Sequence, residues 1–116
     1  MIPELAPSAQ AFALGDRFLA GLVGDFSDAD WQVADAVGHN PRWIVGHLAV
    51  MRNRMTAMAG HWDAVTAEQL AKPLGRTLPD GSDTIAGALR FLAWHEAYHL
   101  GQLGLFRRLA GKPGRA

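Results

Sequence analysis

A chain of 116 residues, 49% apolar and 19% charged, has the composition of one folded domain spanning residues 1–116 and not of a disordered segment. Eleven basic side chains balance eleven acidic ones, so net charge gives neither nucleic acid nor an anionic membrane any purchase. The absence of cysteine excludes disulfides, thiolate metal ligands and a protein thiol nucleophile, and is compatible with a reducing cytoplasm.

The opening MIPELAPSAQ lacks the basic start and apolar run of a signal peptide, and no stretch nears the roughly 20 apolar residues of a membrane span. A cytoplasmic protein is expected. Ser8, after Pro7, is placed to cap a first helix over about Ala9–Val23, whose apolar stripe is Phe12, Leu19, Leu22, Val23 and, just beyond, Phe26. Gly24 to His39 mixes Asp25, Ser27, Asp28 and Asp30 with Trp31 and is expected to be a loop with a solvated acidic edge.

Asn40-Pro41 is a strong helix start, because Asn caps and Pro is tolerated where its missing N–H has no helical partner. The apolar rhythm from Ile44 runs in phase past Gly60 through Trp62 and Val65, so this second helix is expected to be unusually long, or to stop before Thr66 and let Thr66–Ala71 fold back as a short helix. Thr66-Ala67-Glu68-Gln69 has capping-box form, and Lys72-Pro73 ends what it begins. Leu74 to Ser82, with Gly75, Pro79 and Asp80-Gly81, is a turn-rich connector. The last helix starts near Asp83 or Thr84 and ends at Gly111, with Arg107 and Arg108 in the last turn, where the helix dipole favours cations. It is apolar or small on nearly every side, which predicts burial and close approach of another helix at Ala97 and Gly101. The fold expected is all-α: an antiparallel up-down helical bundle.

The chemistry lies in Trp94–Leu103, WHEAYHLGQL. His95 and His99 stand four apart, so both rings leave one helix face and can close on one metal ion. His95-Glu96-Ala97-Tyr98-His99 is also a literal H-E-x-x-H, the zinc signature of metalloproteases, in which Glu96 would be the general base. From Leu100 to Ala116 there is no further His, Asp or Glu, so a third ligand must come from upstream. His47, in Trp43-Ile44-Val45-Gly46-His47-Leu48, lies on the apolar face of the second helix and is the candidate. Tyr98 and Gln102 are candidates for orienting a ligand ring. Trp43 and the stripe Met51, Met55, Met58 are expected to be packing, and His39 and His61 are expected at the surface.

The pairing of W-x-x-G-H-L on an early helix with H-E-x-Y-H-x-G-Q-L on the last, followed by Arg107-Arg108 and Gly111-Lys112-Pro113, resembles the DinB/YfiT-like metal-binding bundle family. The resemblance spans roughly Ser8 to Gly114 and implies metal ligation by His47, His95 and His99. The family has a further long helix between the first histidine and the last helix, for which this chain has only about Gly60 to Ser82. Some members are metal-dependent transferases or isomerases using a low-molecular-weight thiol such as bacillithiol or mycothiol.

Three His ligands leave a coordination position open, as in a catalytic centre, and all-imidazole ligation suits a divalent ion such as zinc, nickel or iron. The resemblance implies a metal-dependent thiol S-transferase acting on small electrophiles; a hydrolase using metal-bound water and a non-catalytic metal-binding protein are the alternatives. A homodimer is expected, because three long helices stand where the family has four. A second helix overshooting Gly60 would supply the missing wall to a partner, as in a domain swap. The partners expected are a small-molecule substrate and a second copy, with no nucleic acid and no membrane.

Overall fold

The computed structural model describes residues 1–115. It is all-α, with α1 over Ala6–Val23, α2 over Pro41–Ala59, a short α3 over Ala67–Ala71 and α4 over Ile85–Leu109. Single 3₁₀ turns lie at Pro3–Leu5, Asp30–Gln32 and Trp62–Ala64. No helix among the described residues is long and apolar enough to cross a membrane. α4 is the central element, and α1, α2 and α3 each pack on it.

The helix starts follow local chemistry with one exception. The Trp43 N–H donates to Asn40 Oδ1 at 2.8 Å to open α2, and the Gly87 N–H donates to Thr84 Oγ1 at 3.2 Å to open α4. Thr66 and Gln69 form the reciprocal capping box of α3. Ser8 is not a cap: α1 begins at Ala6, directly after the Pro3–Leu5 turn, and Ser8 lies buried inside it.

α2 does not overshoot. It ends at Ala59 because Gly60 adopts φ 67°, ψ −139°, a left-handed φ that glycine takes without strain. The apolar rhythm then continues for a different reason. Trp62 stacks on Phe12 with ring centroids 5.7 Å apart, and Val65 and Leu70 turn back into the core. The domain-swapped arrangement therefore has no overshooting helix to build it, and the fold-back of Thr66–Ala71 is what the chain does.

Buried apolar side chains form two clusters. One joins Leu5, Phe12, Met55, Val65, Leu70 and Leu89; the other joins Leu22, Ile44, Leu48, Leu103 and Phe106. Along each long helix the members of the two clusters are separated by a polar stretch: Asp16 on α1, Arg52 on α2, and His95, Glu96 and His99 on α4.

The acidic loop after α1 is solvated at Asp25 and Asp28, as expected, but Asp25 and Asp30 are also ion-paired. Arg107, with none of its surface exposed, donates from Nη1 and Nη2 to both carboxylate oxygens of Asp25, and also to the Leu22 and Pro113 carbonyls. Lys112 reaches Asp30 at 3.3 Å. The Arg107 guanidinium holds the Asp25 carboxyl down at about 2. Arg107 thus locks the end of α1 and the C-terminal tail to α4, a role that a dipole argument for the last turn does not contain.

The burial expected all round α4 is also absent. Trp94, Tyr98, Leu105 and Leu109 are exposed, a Cβ on Gly101 would meet nothing within 4 Å, and Ala97 is exposed. Close helix approach occurs elsewhere, at Gly15 of α1, where a Cβ would stand 2.7 Å from Glu96 Oε2.

Candidate metal centre

His47 leaves α2 two turns after its Asn40 cap, and His95 and His99 leave α4 one turn apart, so the crossing of the two helices brings three imidazoles together. Nε2 of His95 lies 3.2 Å from Nε2 of His47 and 3.1 Å from Nε2 of His99. One ligand nitrogen from each residue fits within 4.8 Å of the others. Four-coordinate zinc with Zn–N of 2.0–2.1 Å sets its nitrogens about 3.3 Å apart, so the three rings already stand near ligand spacing. His99 is buried and the other two are half-buried, which leaves one side of the cluster open.

The protonation pattern fits a cation. His99 Nδ1 lies 2.5 Å from Gln102 Oε1, an acceptor that keeps the proton on Nδ1 and turns the Nε2 lone pair toward the cluster. Burial lowers the pKa of His47 and of His95, and for both the repulsion that protonated rings would feel so close to His99 lowers it further. Both rings therefore stay neutral at pH 7, the form that ligates. His95 Nδ1 is buried with no hydrogen-bond partner, and no carboxylate forms an ion pair with any of the three rings among the described residues. An unpaired buried polar atom costs about 1–3 kcal/mol. A divalent ion bound at the three Nε2 atoms would take up their converging lone pairs, and the His95 Nδ1 would remain without a partner.

Glu96 stands apart from this cluster. Arg52 holds it bidentately, Nε to Oε1 at 2.5 Å and Nη2 to Oε2 at 2.9 Å, and Nη2 also reaches Asp16 Oδ1 at 2.9 Å and the Phe12 carbonyl at 3.1 Å. The guanidinium lies 4.8 Å from the Phe12 ring centroid. Being one residue on from His95 turns the carboxylate toward α1, where Gly15 makes room for it. The H-E-x-x-H pattern thus distributes its residues over two places: the histidines face the three-imidazole cluster and the glutamate faces an ion-pair network joining three helices.

Trp43 is half-exposed and not a core residue. Its ring stacks on His47, centroids 5.0 Å apart at 9°, and on His39, 4.3 Å apart at 5°, so it walls the centre. His39, expected at the surface, is half-buried in that stack, while His61 is exposed. Tyr98 meets the edge of the His99 ring at 5.4 Å but is itself exposed. Met55 is core, whereas Met51 and Met58 line a cavity that reaches His95. Sequence reasoning missed Arg52: no spacing rule pairs residues 44 apart, and the one available signal was a cation inside an otherwise apolar stripe.

Compared with models of protein families, with curated proteins and with solved structures, the chain matches none.

Proposed function

We propose that this chain is a DinB-like metal-binding protein, an antiparallel up-down bundle with its third helix shortened, that acts as a metal-dependent thiol S-transferase on small electrophiles. His47, His95 and His99 hold one divalent ion, zinc, nickel or iron. The observation that carries the reading is the convergence of three imidazole Nε2 atoms on one point with one side open. When bound there, a divalent ion lowers the pKa of a thiol reaching its open position. His99, held by Gln102, and the neutral His47 and His95 supply the ligand field, and Trp43 shields one flank from water. The thiol proton leaves to solvent, the sulfur forms a bond to the electrophilic carbon, and the leaving group departs with its electron pair. The absence of cysteine fits a nucleophile brought by the cosubstrate.

The Arg52–Glu96 pair favours this reading over a hydrolytic one, because the carboxylate that would serve as base has both oxygens engaged. Metal-loaded protein is expected to couple low-molecular-weight thiols to an activated aryl halide. His95→Ala should abolish that turnover, and Glu96→Gln, assayed well below its melting temperature, should retain it within about tenfold. A base role for Glu96 predicts a loss of roughly 10² or more. No turnover with any thiol would leave a non-catalytic metal-binding protein.

We also propose a homodimer, formed across the groove between α1 and α4. The molecule extends 47 × 26 × 19 Å, with a radius of gyration of 15.8 Å, against about 13 Å for a compact chain of this length. The groove encloses about 870 Å³ and carries Leu14, Phe18, Leu105 and the small residues Ala97, Gly101 and Gly104. Three long helices leave one position of a four-helix cross-section open along this line. Light scattering over a dilution series is expected to give twice the monomer mass. Gly101→Leu, whose added Cβ meets nothing within 4 Å in the chain's own fold, should shift the protein to monomer without lowering its helicity. A wild-type monomer at high micromolar concentration would refute the dimer.

A further inference from the structure

A second cavity, of about 450 Å³, opens beside the metal centre and has His95 as one of its lining residues. Its wall is soft and apolar, built by Met51 and Met58 of α2 and by Phe91 and Leu92 of α4. Thioethers and an aromatic ring accommodate varied apolar shapes. Two guanidinium groups, Arg54 and Arg76, share this lining, which holds no carboxylate at all. Neither arginine makes a hydrogen bond or ion pair among the described residues, unlike Arg52 and Arg107, whose donors are engaged by carboxylates and carbonyls.

The fold places the backbone of both arginines beside the cavity. His47, Met51, Arg54 and Met58 recur at helical spacing on one stripe of α2, and Arg54 is close enough to His47 to add, after burial and His99, to the depression of its pKa. Arg76 sits on the connector between α3 and α4, which is pinned at its base. There the Leu74 N–H donates to the Asp83 carbonyl at 2.7 Å, the Ile85 N–H to the Lys72 carbonyl at 3.0 Å, and Pro73 bridges Thr84. Buried Leu78 anchors its far side. The segment that stands in place of a long third helix therefore delivers a cation to the cavity.

We infer that this cavity is the substrate pocket and takes a small amphipathic carboxylate, its apolar or aromatic body against Met51, Met58 and Phe91, its anionic end on Arg54 and Arg76, and its reacting end at His95. Carboxylate recognition by two free guanidinium groups is charge-assisted and directional, and an apolar cavity with a few convergent polar groups is the usual form of a small-molecule site. The inference rests on the metal centre as the reacting end, but its test is binding alone.

The probes are 4-phenylbutyrate and its neutral counterpart 4-phenylbutanamide, titrated by NMR chemical-shift perturbation into the full chain, metal-free and zinc-loaded. The carboxylate is expected to bind at least tenfold tighter than the amide in both forms, with shifts at Met51, Met58 and Phe91. The Arg54→Gln/Arg76→Gln variant, whose changes lie on exposed side chains, should lose that preference while keeping amide binding, which shows that the pocket is intact. Equal affinity for the two probes in wild type, a preference that survives the double substitution, or shifts confined to the α1–α4 groove would each overturn the inference. A preference seen only with zinc would overturn it too, because the anion would then be bound by the metal. Failure of the protein to bind zinc, with the carboxylate preference intact, would remove the transferase reading and leave the pocket standing.

Discussion

Saturating zinc is expected to stabilise the wild-type protein by about 4 kcal/mol at a thousandfold excess over the dissociation constant, and His47→Ala, His95→Ala and His99→Ala are each expected to lose nearly all of that gain. The folded chain presents three nitrogens near ligand spacing, whereas the unfolded chain has none so arranged, so ion binding adds directly to folding stability. His95→Ala should have the largest effect, because its Nε2 is the atom within 3.2 Å of both others. In the metal-free protein the same substitution should cost little, since it also removes a buried Nδ1 that has no partner. Thermal melts with and without zinc, beside elemental analysis after dialysis, read both effects. Full zinc stabilisation in all three variants would sink the site.

The second large effect is expected at Arg52, which touches none of the histidines. Arg52→Ala leaves the Glu96 carboxylate, 8% exposed, without its bidentate partner, and removes the cation that ties α1 to α2 and α4. Breaking one side of a buried ion pair costs about 3–5 kcal/mol. Arg52 itself keeps 30% of its side chain exposed, so water screens part of that and about 2–3 kcal/mol is the expected loss. The control is the Arg52→Met/Glu96→Leu double variant, which removes both charges and should recover most of the stability, as apolar replacement of buried pairs does. Zinc content should be unchanged in both proteins. Loss of zinc in Arg52→Ala at temperatures where it remains folded would mean that Glu96 serves the metal centre after all.

Helix positions were legible in the sequence wherever the cause is local. Asn40-Pro41, Thr66 to Gln69, Thr84 and Gly111 mark helix ends through hydrogen bonds or dihedral preferences spanning a few residues, and each does so in the structure. The three histidines were legible for a related reason: the i, i+4 spacing and the apolar face around His47 are periodic signals. Ser8 misled because a Pro–Ser pair has cap chemistry whether or not the preceding turn has already started the helix. Ile44 to Val65 misled because apolar spacing is blind to the sign of one φ at Gly60.

What only the tertiary structure decided is which side chains meet across helices. Glu96 follows His95 directly, yet a 100° step around α4 sends it to Arg52 and Gly15 while the histidines face His47. Asp25 and Arg107 are 82 residues apart and meet because the end of α1 packs on the last turn of α4. Trp43 came to wall the histidine cluster, and Arg54 and Arg76 came to share a cavity with His95, through the crossing of α2, α4 and the connector. The sequence by itself determined the helical class, the caps at Asn40, Thr66 and Thr84, and the imidazole set, because those depend on spacing along the chain. The ion-pair layer, the exposed face of α4 and the basic pocket depend on the rotation of each helix about its own axis, and packing against the other helices sets that rotation.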